Sequence, residues 1–226
     1  MNIVAVIPAR GGSKGIPRKN VRDIAGRPLI AWTIGQALEV RGLRVIVSTE
    51  DDEIASVART FGAEVIDRPG ELARDDTATE PVVEHVIGEL TRRGERPDVV
   101  MLLQATSPVR LPGTLARAIA EFEELGADST LGVVPQAPFL WHAGFPSRAD
   151  YDFRNRPRRQ ELRPDDLRYR ETGSVYLTHT EIYEREHNRL GGRIGLFVMD
   201  EVEGSDLDTL ADWQVASERL RAMGRG

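Results

Sequence analysis

The chain has 226 residues, 40% of them hydrophobic and 29% charged, with a formal net charge of −6 and no cysteine. This length suits one sizeable core, or one domain carrying an insertion, and the composition excludes a disordered chain. No apolar run approaches the roughly 18–20 residues of a membrane span, disulfides and thiolate metal sites are excluded, and the negative charge argues against a general nucleic-acid binder.

Residues 2–7 are a continuous Ile/Val/Ala run, the pattern of a strand buried on both faces. The same segment lacks the basic leader and cleavage site of a signal peptide, so a cytoplasmic protein is expected. Leu29 to Leu38 follow helical spacing, with Gly42 as a stop. A strand over 44–49, a helix from Asp51 to Phe61 and a strand over 63–67 come next. A longer helix from Thr77 to Arg93 carries Val82, Val83, Val86, Ile87 and Leu90 on one face. A buried strand over 98–104, a helix over 115–125 and a strand over 129–134 complete the regular part. Residues 135–170 hold five prolines, many arginines and few aliphatics, which reads as a functional segment or interface arm. Strands at 173–178 and 195–200 and a helix from about Thr209 to Met223 end the chain. Repeated strand–helix alternation predicts a single α/β domain, with a mostly parallel sheet covered by helices on both faces.

The first strand runs into "IPARGGSKGIPRKN" (7–20), with Arg10, Lys14, Arg18 and Lys19 and no acid between them. A glycine-rich loop at the C-terminal edge of an open sheet is the usual phosphate location; Gly11, Gly12 and Gly15 let backbone N–H groups approach an anion that the cations neutralise. The plain alternative is a solvated basic loop. Neither a Walker-type loop nor G-x-G-x-x-G is present. Gly11 to Gly15 does match the G-x-S-x-G of serine hydrolases, but Pro17 and Asn20 follow in loop-like fashion where that elbow needs a helix.

Asp206 and Asp208 stand two apart before the last helix, so in an extended segment both carboxylates face one hard cation. The alternative is that Asp208 caps the helix, with Asp212 either assisting the metal or solvated. Gln104, Thr106 and Ser107 end the fourth buried strand, where amide and hydroxyl groups meet a polar ligand, or else shape a turn before Pro108. His85, His142, His179 and His187 show no metal-ligand spacing. Phe139 and Trp141 read as packing or interface.

The opening motif, followed by "AGRPLIAWTI", resembles the signature of the acylneuraminate cytidylyltransferases, the CMP-sialic acid synthetases. The likeness continues through "STEDDEIASVARTFGAEVIDRP" (48–69), "QATSPVR" (104–110), "RPRRQ" (156–160), "ETGSVY" (171–176) and "GSDLDTLADWQVA" (204–216). Sister enzymes for 3-deoxy-manno-octulosonate usually show Lys-Pro-Leu where this chain has Lys19-Asn20.

The resemblance implies a Rossmann-like nucleotidyltransferase fold whose arm, at about 135–170, reaches across a homodimer. It also implies a reaction of CTP with a nine-carbon 2-keto sugar acid to give the CMP-sugar and pyrophosphate. By the same likeness, Arg10, Gly11, Gly12, Ser13, Lys14, Lys19 and Asn20 hold the nucleotide, with Arg68, Thr77 and Thr79 on the cytidine. Arg10 and Lys14 clamp the triphosphate and Lys19 offsets charge at the α-phosphate. Gln104 faces the sugar with Thr106 and Ser107, Arg159 approaches the sugar carboxylate, and Tyr176 lines the pocket or is strand core. Asp206 and Asp208 hold Mg²⁺, and the general base is open between Asp208 and a hydroxyl on the metal. Glu171-Thr172 stands where many relatives have Glu-Asn, which leaves the choice of sugar open. The other readings are a 3-deoxy-manno-octulosonate cytidylyltransferase and a CTP-binding homologue without catalysis; the paired aspartates speak against the latter.

Overall fold

The structure, a computed structural model, describes residues 1–12 and 15–224. In chain order its strands are β1 (Ile3–Pro8), a short hairpin of β2 (Asp23–Ile24) and β3 (Arg27–Pro28), β4 (Arg44–Thr49), β5 (Glu64–Asp67), β6 (Val99–Leu103) and β7 (Ser129–Gln136). A second short hairpin, β8 (Trp141–His142) and β9 (Arg148–Ala149), precedes β10 (Arg168–His179) and β11 (Ile194–Val198). The helices are α1 (Leu29–Leu38), α2 (Asp52–Thr60), α3 (Thr79–Arg92), α4 (Thr114–Leu125), α5 (Thr180–Glu186) and α6 (Leu210–Ala222).

Seven strands form one sheet in the order β11-β7-β10-β6-β1-β4-β5. All neighbours pair in parallel except β10, which is antiparallel to both β6 and β7. The expected mostly parallel α/β sheet is therefore present. Strand alternation divides the core. Ala5 and Ile7 of β1 face α1, α2 and α4 through Ile30, Ile34, Ile54, Leu115 and Phe122. Val4 and Val6 face α3 and α5 through Val83, Val86, Leu90 and Tyr183. Among the described residues, no helix is long and apolar enough to cross a membrane.

Every expected helix is present, each end within two residues of its expected place. Two features differ. Helix α5, seven residues with Ile182 and Tyr183 inward, is too short for periodicity to reveal. Strand β10 starts at Arg168 and not at 173, because pairing with β7 continues outward through Arg168–Glu171 beyond a register shift. Those four residues are exposed and polar, so they carry no hydrophobic signal. The irregular arm is accordingly the 137–167 excursion between β7 and β10. Within it Phe139, Trp141, Tyr151 and Phe153 pack edge-on or tilted against one another.

β1 lies between β4 and β6, and the chain moves outward through β4 and β5 before returning to β6 on the other side. Loops leaving β1 and β6 thus diverge at their C-terminal ends, and an open α/β sheet offers its binding crevice there.

Candidate active site

A cavity of about 400 Å³ occupies this crevice. Its walls come from Pro8 to Arg10 after β1, Lys19 and Asn20 from the same loop, Arg68 after β5, and Gln104 to Thr106 after β6. The N-terminal turn of α3 opens into it with Thr77, Ala78 and Thr79, presenting backbone N–H groups and the positive end of the helix dipole. The cavity unites eight of the residues singled out from the sequence: Arg10, Lys19, Asn20, Arg68, Thr77, Thr79, Gln104 and Thr106.

The loop is held in shape by its own side chains. Asn20, buried, donates through Nδ2 to the Arg10 carbonyl at 3.0 Å, drawing the two ends of the loop together. Arg68 is buried beneath it; Nη2 donates to the carbonyls of Ser48 (2.5 Å) and Ala9 (3.3 Å), tying the ends of β1, β4 and β5 into one floor. Burial draws its pKa below the ordinary guanidinium value, and Glu50 opposes that shift. Gly12 has open space around it. Ser13 and Lys14 lie outside the described residues.

The absence of acids within 10–20 does not carry into space. Arg10 Nη1 pairs with Asp75 Oδ1 at 2.5 Å, and the Gly11 N–H donates to Glu50 Oε1 at 2.8 Å. Arg18 turns out of the cleft and forks onto Asp51 (2.5 Å) and Glu53 at the start of α2. Its place among the phosphate-facing cations is therefore corrected: two carboxylates from a distant element hold it. Gly11 is glycine because a Cβ there would collide with the Asp51 carboxylate.

The late aspartate segment is fastened to the wall of the cleft. Lys19 Nζ donates to the Leu207 carbonyl at 2.7 Å, and the Leu207 N–H donates to the Thr106 carbonyl at 2.9 Å. A Cβ on Gly15 would lie 2.9 Å from the Asp208 carbonyl, so only glycine permits this approach of the two chain ends. The last helix is capped by Thr209 and not by Asp208. Asp212 Oδ2 accepts from Thr209 N and Oγ1, both at 2.7 Å, in a reciprocal capping box. Those hydrogen bonds keep the Asp212 carboxyl below its usual range. Asp206 Oδ1 accepts from Leu207 N, while the Asp208 carboxylate is exposed and unpartnered among the described residues. No group of three or more Asp, Glu, His or Cys converges on one point among the described residues. Two carboxylates beside a glycine-rich basic loop have the chemistry to suit Mg²⁺, which takes one or two carboxylates plus substrate oxygens and water.

Three of the expected site residues lie elsewhere. Ser107 is fully buried, donating to the Thr172 carbonyl, so it shapes the turn. Tyr176 is strand core: its hydroxyl donates to Glu171 and the Arg189 guanidinium lies 5.2 Å from its ring. Burial and the Glu171 bond push its pKa up. Arg159 borders a second cavity of about 380 Å³ beyond the end of β7, with Arg170, Glu201 and Phe139.

Other residues of the site escaped the sequence reading. Leu72, Arg74 and Val82 line the main cavity. Gln104 rests against Gly173, whose φ of +70° and missing side chain make room for the amide. Beneath it lies Arg110, wholly buried; its pKa is pushed down to about 10 by burial, against the opposing charge of Glu203. Buried Glu203 accepts from Leu111 N (2.8 Å) and Thr114 Oγ1 (2.6 Å), fixing the segment before Asp206 to the start of α4. Arg110 ends the loop that follows β6, the loop that carries Gln104; nothing in "EVEG" marks Glu203.

The sequence profile of a family described as cytidylyltransferase matches residues 4–190. The N-acylneuraminate cytidylyltransferase B of Danio rerio is 35% identical over 97% of this chain and 52% of its own length. The CMP-N,N'-diacetyllegionaminic acid synthase of Legionella pneumophila is 34% identical over 97% of both chains. This chain spans about half the length of the vertebrate relatives it matches. Among solved structures, a CMP-2-keto-3-deoxy-manno-octonic acid synthetase complexed with CTP superimposes with a TM-score of 0.74 at 19% identity, covering 98% of this chain and 99% of that one. At that identity the likeness establishes the fold.

Proposed function

Because this chain belongs to the cytidylyltransferase family, we propose that it joins CTP to the anomeric hydroxyl of a nine-carbon 2-keto sugar acid. The hydroxyl oxygen attacks the α-phosphorus in line, the α–β bridging bond breaks, pyrophosphate leaves, and the hydroxyl proton passes to water. One observation carries the reading: the basic loop and the start of α3 line one cleft at the switch point of the sheet, and the Leu207 segment is hydrogen-bonded to two of its wall residues, Lys19 and Thr106.

The division of the cleft follows from its chemistry. Arg10 and Lys19 face the triphosphate, with Gly11, Gly12, Ser13, Lys14 and Asn20 as its loop. Arg68, Thr77 and Thr79 take the nucleoside end. Gln104 and Thr106 are left for the acceptor, whose hydroxyls need amide and hydroxyl partners. Asp206 and Asp208 would hold Mg²⁺, which supplies charge neutralisation at the phosphates and a lowered hydroxyl pKa. Catalysis is then mainly placement and charge stabilisation.

A homodimer is part of the proposal. The arm exposes Leu140, Trp141, Phe145 and Phe153, and edge strand β11 exposes Ile194, Leu196 and Val198. A single chain leaves Arg159 on the second cavity, so an arm reaching a partner's cleft accounts for its sugar-binding assignment better than one acting in its own. Sedimentation should give a dimer that Trp141→Asp weakens; a wild-type monomer would remove this part. The expected cytoplasmic setting also stays with the reading.

The decisive experiment mixes the protein with CTP, Mg²⁺ and, in turn, N-acetylneuraminate, its deaminated analogue, N,N'-diacetyllegionaminate, pseudaminate and 3-deoxy-manno-octulosonate. Pyrophosphate and a CMP-sugar of the matching mass are expected with a nine-carbon acid. Turnover confined to the eight-carbon acid, or none at all, overturns the proposal.

A further inference from the structure

Arg110 is the largest fully buried side chain that no part of the proposed chemistry uses. Its Nη2 donates to the carbonyls of Gln104 (3.2 Å) and Ser174 (2.7 Å), and its Nη1 to Gln36 Oε1 (2.9 Å) and Thr33 Oγ1 (3.2 Å). Gln36 in turn donates through Nε2 to the Pro108 carbonyl at 2.7 Å. One guanidinium therefore fastens three elements: the backbone of the loop after β6, the backbone of the irregular stretch of β10, and two side chains of helix α1.

The stretch of β10 matters because of where its register breaks. Glu171 pairs with Val133 and Tyr176 with Leu131, so five residues of β10 span what two residues of β7 span. The four residues Thr172 to Val175 thus stand opposite Gly132 alone, and they include Gly173, on which the Gln104 amide rests. The bulge is pinned at Thr172, whose Oγ1 donates to the Gly132 carbonyl at 2.9 Å and whose carbonyl accepts from Ser107; Arg110 adds the link to the Gln104 loop by holding Gln104 O and Ser174 O on one nitrogen.

A wholly buried cation without a hydrogen-bonded carboxylate is costly, and Arg110 Nε has no hydrogen-bond partner among the described residues. Placement for stability alone would favour an apolar side chain of similar size. The contacts instead converge on the acceptor half of the cleft. None of the Arg110 partners is Arg10, Lys19, Arg68, Thr77 or Thr79.

We propose that Arg110 is a positioning residue for the sugar acid: by clamping the Gln104 loop to the β10 bulge and α1, it sets the acceptor half of the cleft while the nucleotide half stands without it. This rests on the cytidylyltransferase reading and on Gln104 belonging to the acceptor side. Arg110→Lys keeps the charge but loses the fork that reaches two carbonyls and α1 together.

The test measures steady-state kinetics for the sugar acid, CTP binding by calorimetry without sugar, and thermal melting. For Arg110→Lys, KM for the acid should rise at least ~10-fold and kcat should fall, the loss of one or two buried hydrogen bonds. The CTP dissociation constant should stay within about threefold of wild type, since its contacts are elsewhere. Gln36→Leu, which removes the α1 tether but not the cation, should show the same split in milder form. It decides the matter if Arg110→Lys fails to fold. Equal weakening of CTP and acid, or a lower melting temperature with unchanged KM, would make Arg110 merely structural. A wild-type protein that binds CTP but turns over no sugar acid would sink the functional reading itself, and the proposal with it.

Discussion

Replacing Lys19 by methionine keeps the aliphatic stem and removes one positive charge from the cleft. Two effects of different size should follow. The ammonium donates to the Leu207 carbonyl at 2.7 Å in a partly buried position. A hydrogen bond to a charged group contributes about 1.5–3 kcal/mol, less where water replaces it, so a loss of about 1–2 kcal/mol is expected. For a domain of this size that lowers Tm by roughly 2–8 °C. With a native stability of about 5–15 kcal/mol, the variant remains almost entirely folded at 25 °C. The catalytic effect is larger. A positioned donor facing developing charge contributes about 10²–10³ in kcat, so turnover should fall by that factor even though the fold survives. Pyrophosphate release at saturating CTP and acid, beside a melting curve, separates the two. A variant that melts a few degrees lower yet keeps kcat within about threefold of wild type would refute the reasoning, leaving Lys19 as a tether between the chain ends.

Asp206→Asn and Asp208→Asn should each raise the Mg²⁺ concentration needed for half-maximal velocity by ~10-fold or more. Asp212→Ala should instead cost about 1 kcal/mol of stability through its lost cap and leave the Mg²⁺ titration unchanged. Identical titrations in all three variants would count against the assigned ligands. Asp75→Asn releases Arg10 from a half-exposed ion pair that contributes up to about 1 kcal/mol, so KM for CTP should fall by up to about fivefold. A rise in KM would show that Asp75 orients Arg10 for the nucleotide rather than competing with it. The Arg18 hydrogen bonds hold the Asp51 carboxyl below its usual range, and the Ile54 N–H adds to this against partial burial. A carboxyl whose folded pKa is depressed stabilises the fold above its unfolded value, near about 4, and loses that contribution as pH falls through the folded value. Wild-type protein should therefore lose stability below pH ~4 more steeply than Arg18→Gln in urea melts. Superimposable pH profiles would show that the pair contributes nothing.

The sequence made the helices and the parallel sheet legible because burial imposes periodicity, as in Val82, Val83, Val86, Ile87 and Leu90 of α3. Site residues next to strand ends were legible for a related reason. Arg10, Arg68, Gln104 and Thr106 each follow a strand of the sheet, and the topology brings such positions to one crevice. What stayed hidden depends on contacts between distant segments. Charge read along the chain suggested a loop of uncompensated cations, whereas Glu50, Asp51, Glu53 and Asp75 arrive from other elements. The cap itself was not legible: Thr209 and not Asp208, the alternative the sequence offers, takes that place, because one residue of displacement decides which oxygen reaches the free N–H groups. Arg110 shows in the sequence only as the end of "QATSPVR", since a guanidinium with zero exposure runs against the usual habit of arginine.

The strongest argument for a single site joining both ends of the chain is steric rather than electrostatic. Charges on flexible stems find partners in many arrangements, and surface pairs of this kind are weak. Gly15 has no such freedom. Any side chain there would press on the Asp208 carbonyl, part of a backbone whose neighbour Leu207 is bonded to Thr106 on one side and Lys19 on the other. Relief would require moving the aspartate segment away from the loop, and tight packing makes even one added carbon cost about 1–3 kcal/mol. A solvated basic turn has no need of that contact; a cleft that must bring two carboxylates to the phosphates of one nucleotide does. Gly15→Val should therefore impair Mg²⁺-dependent turnover more than it lowers Tm, and an active variant with an ordinary metal requirement would mean that the two ends touch without acting together.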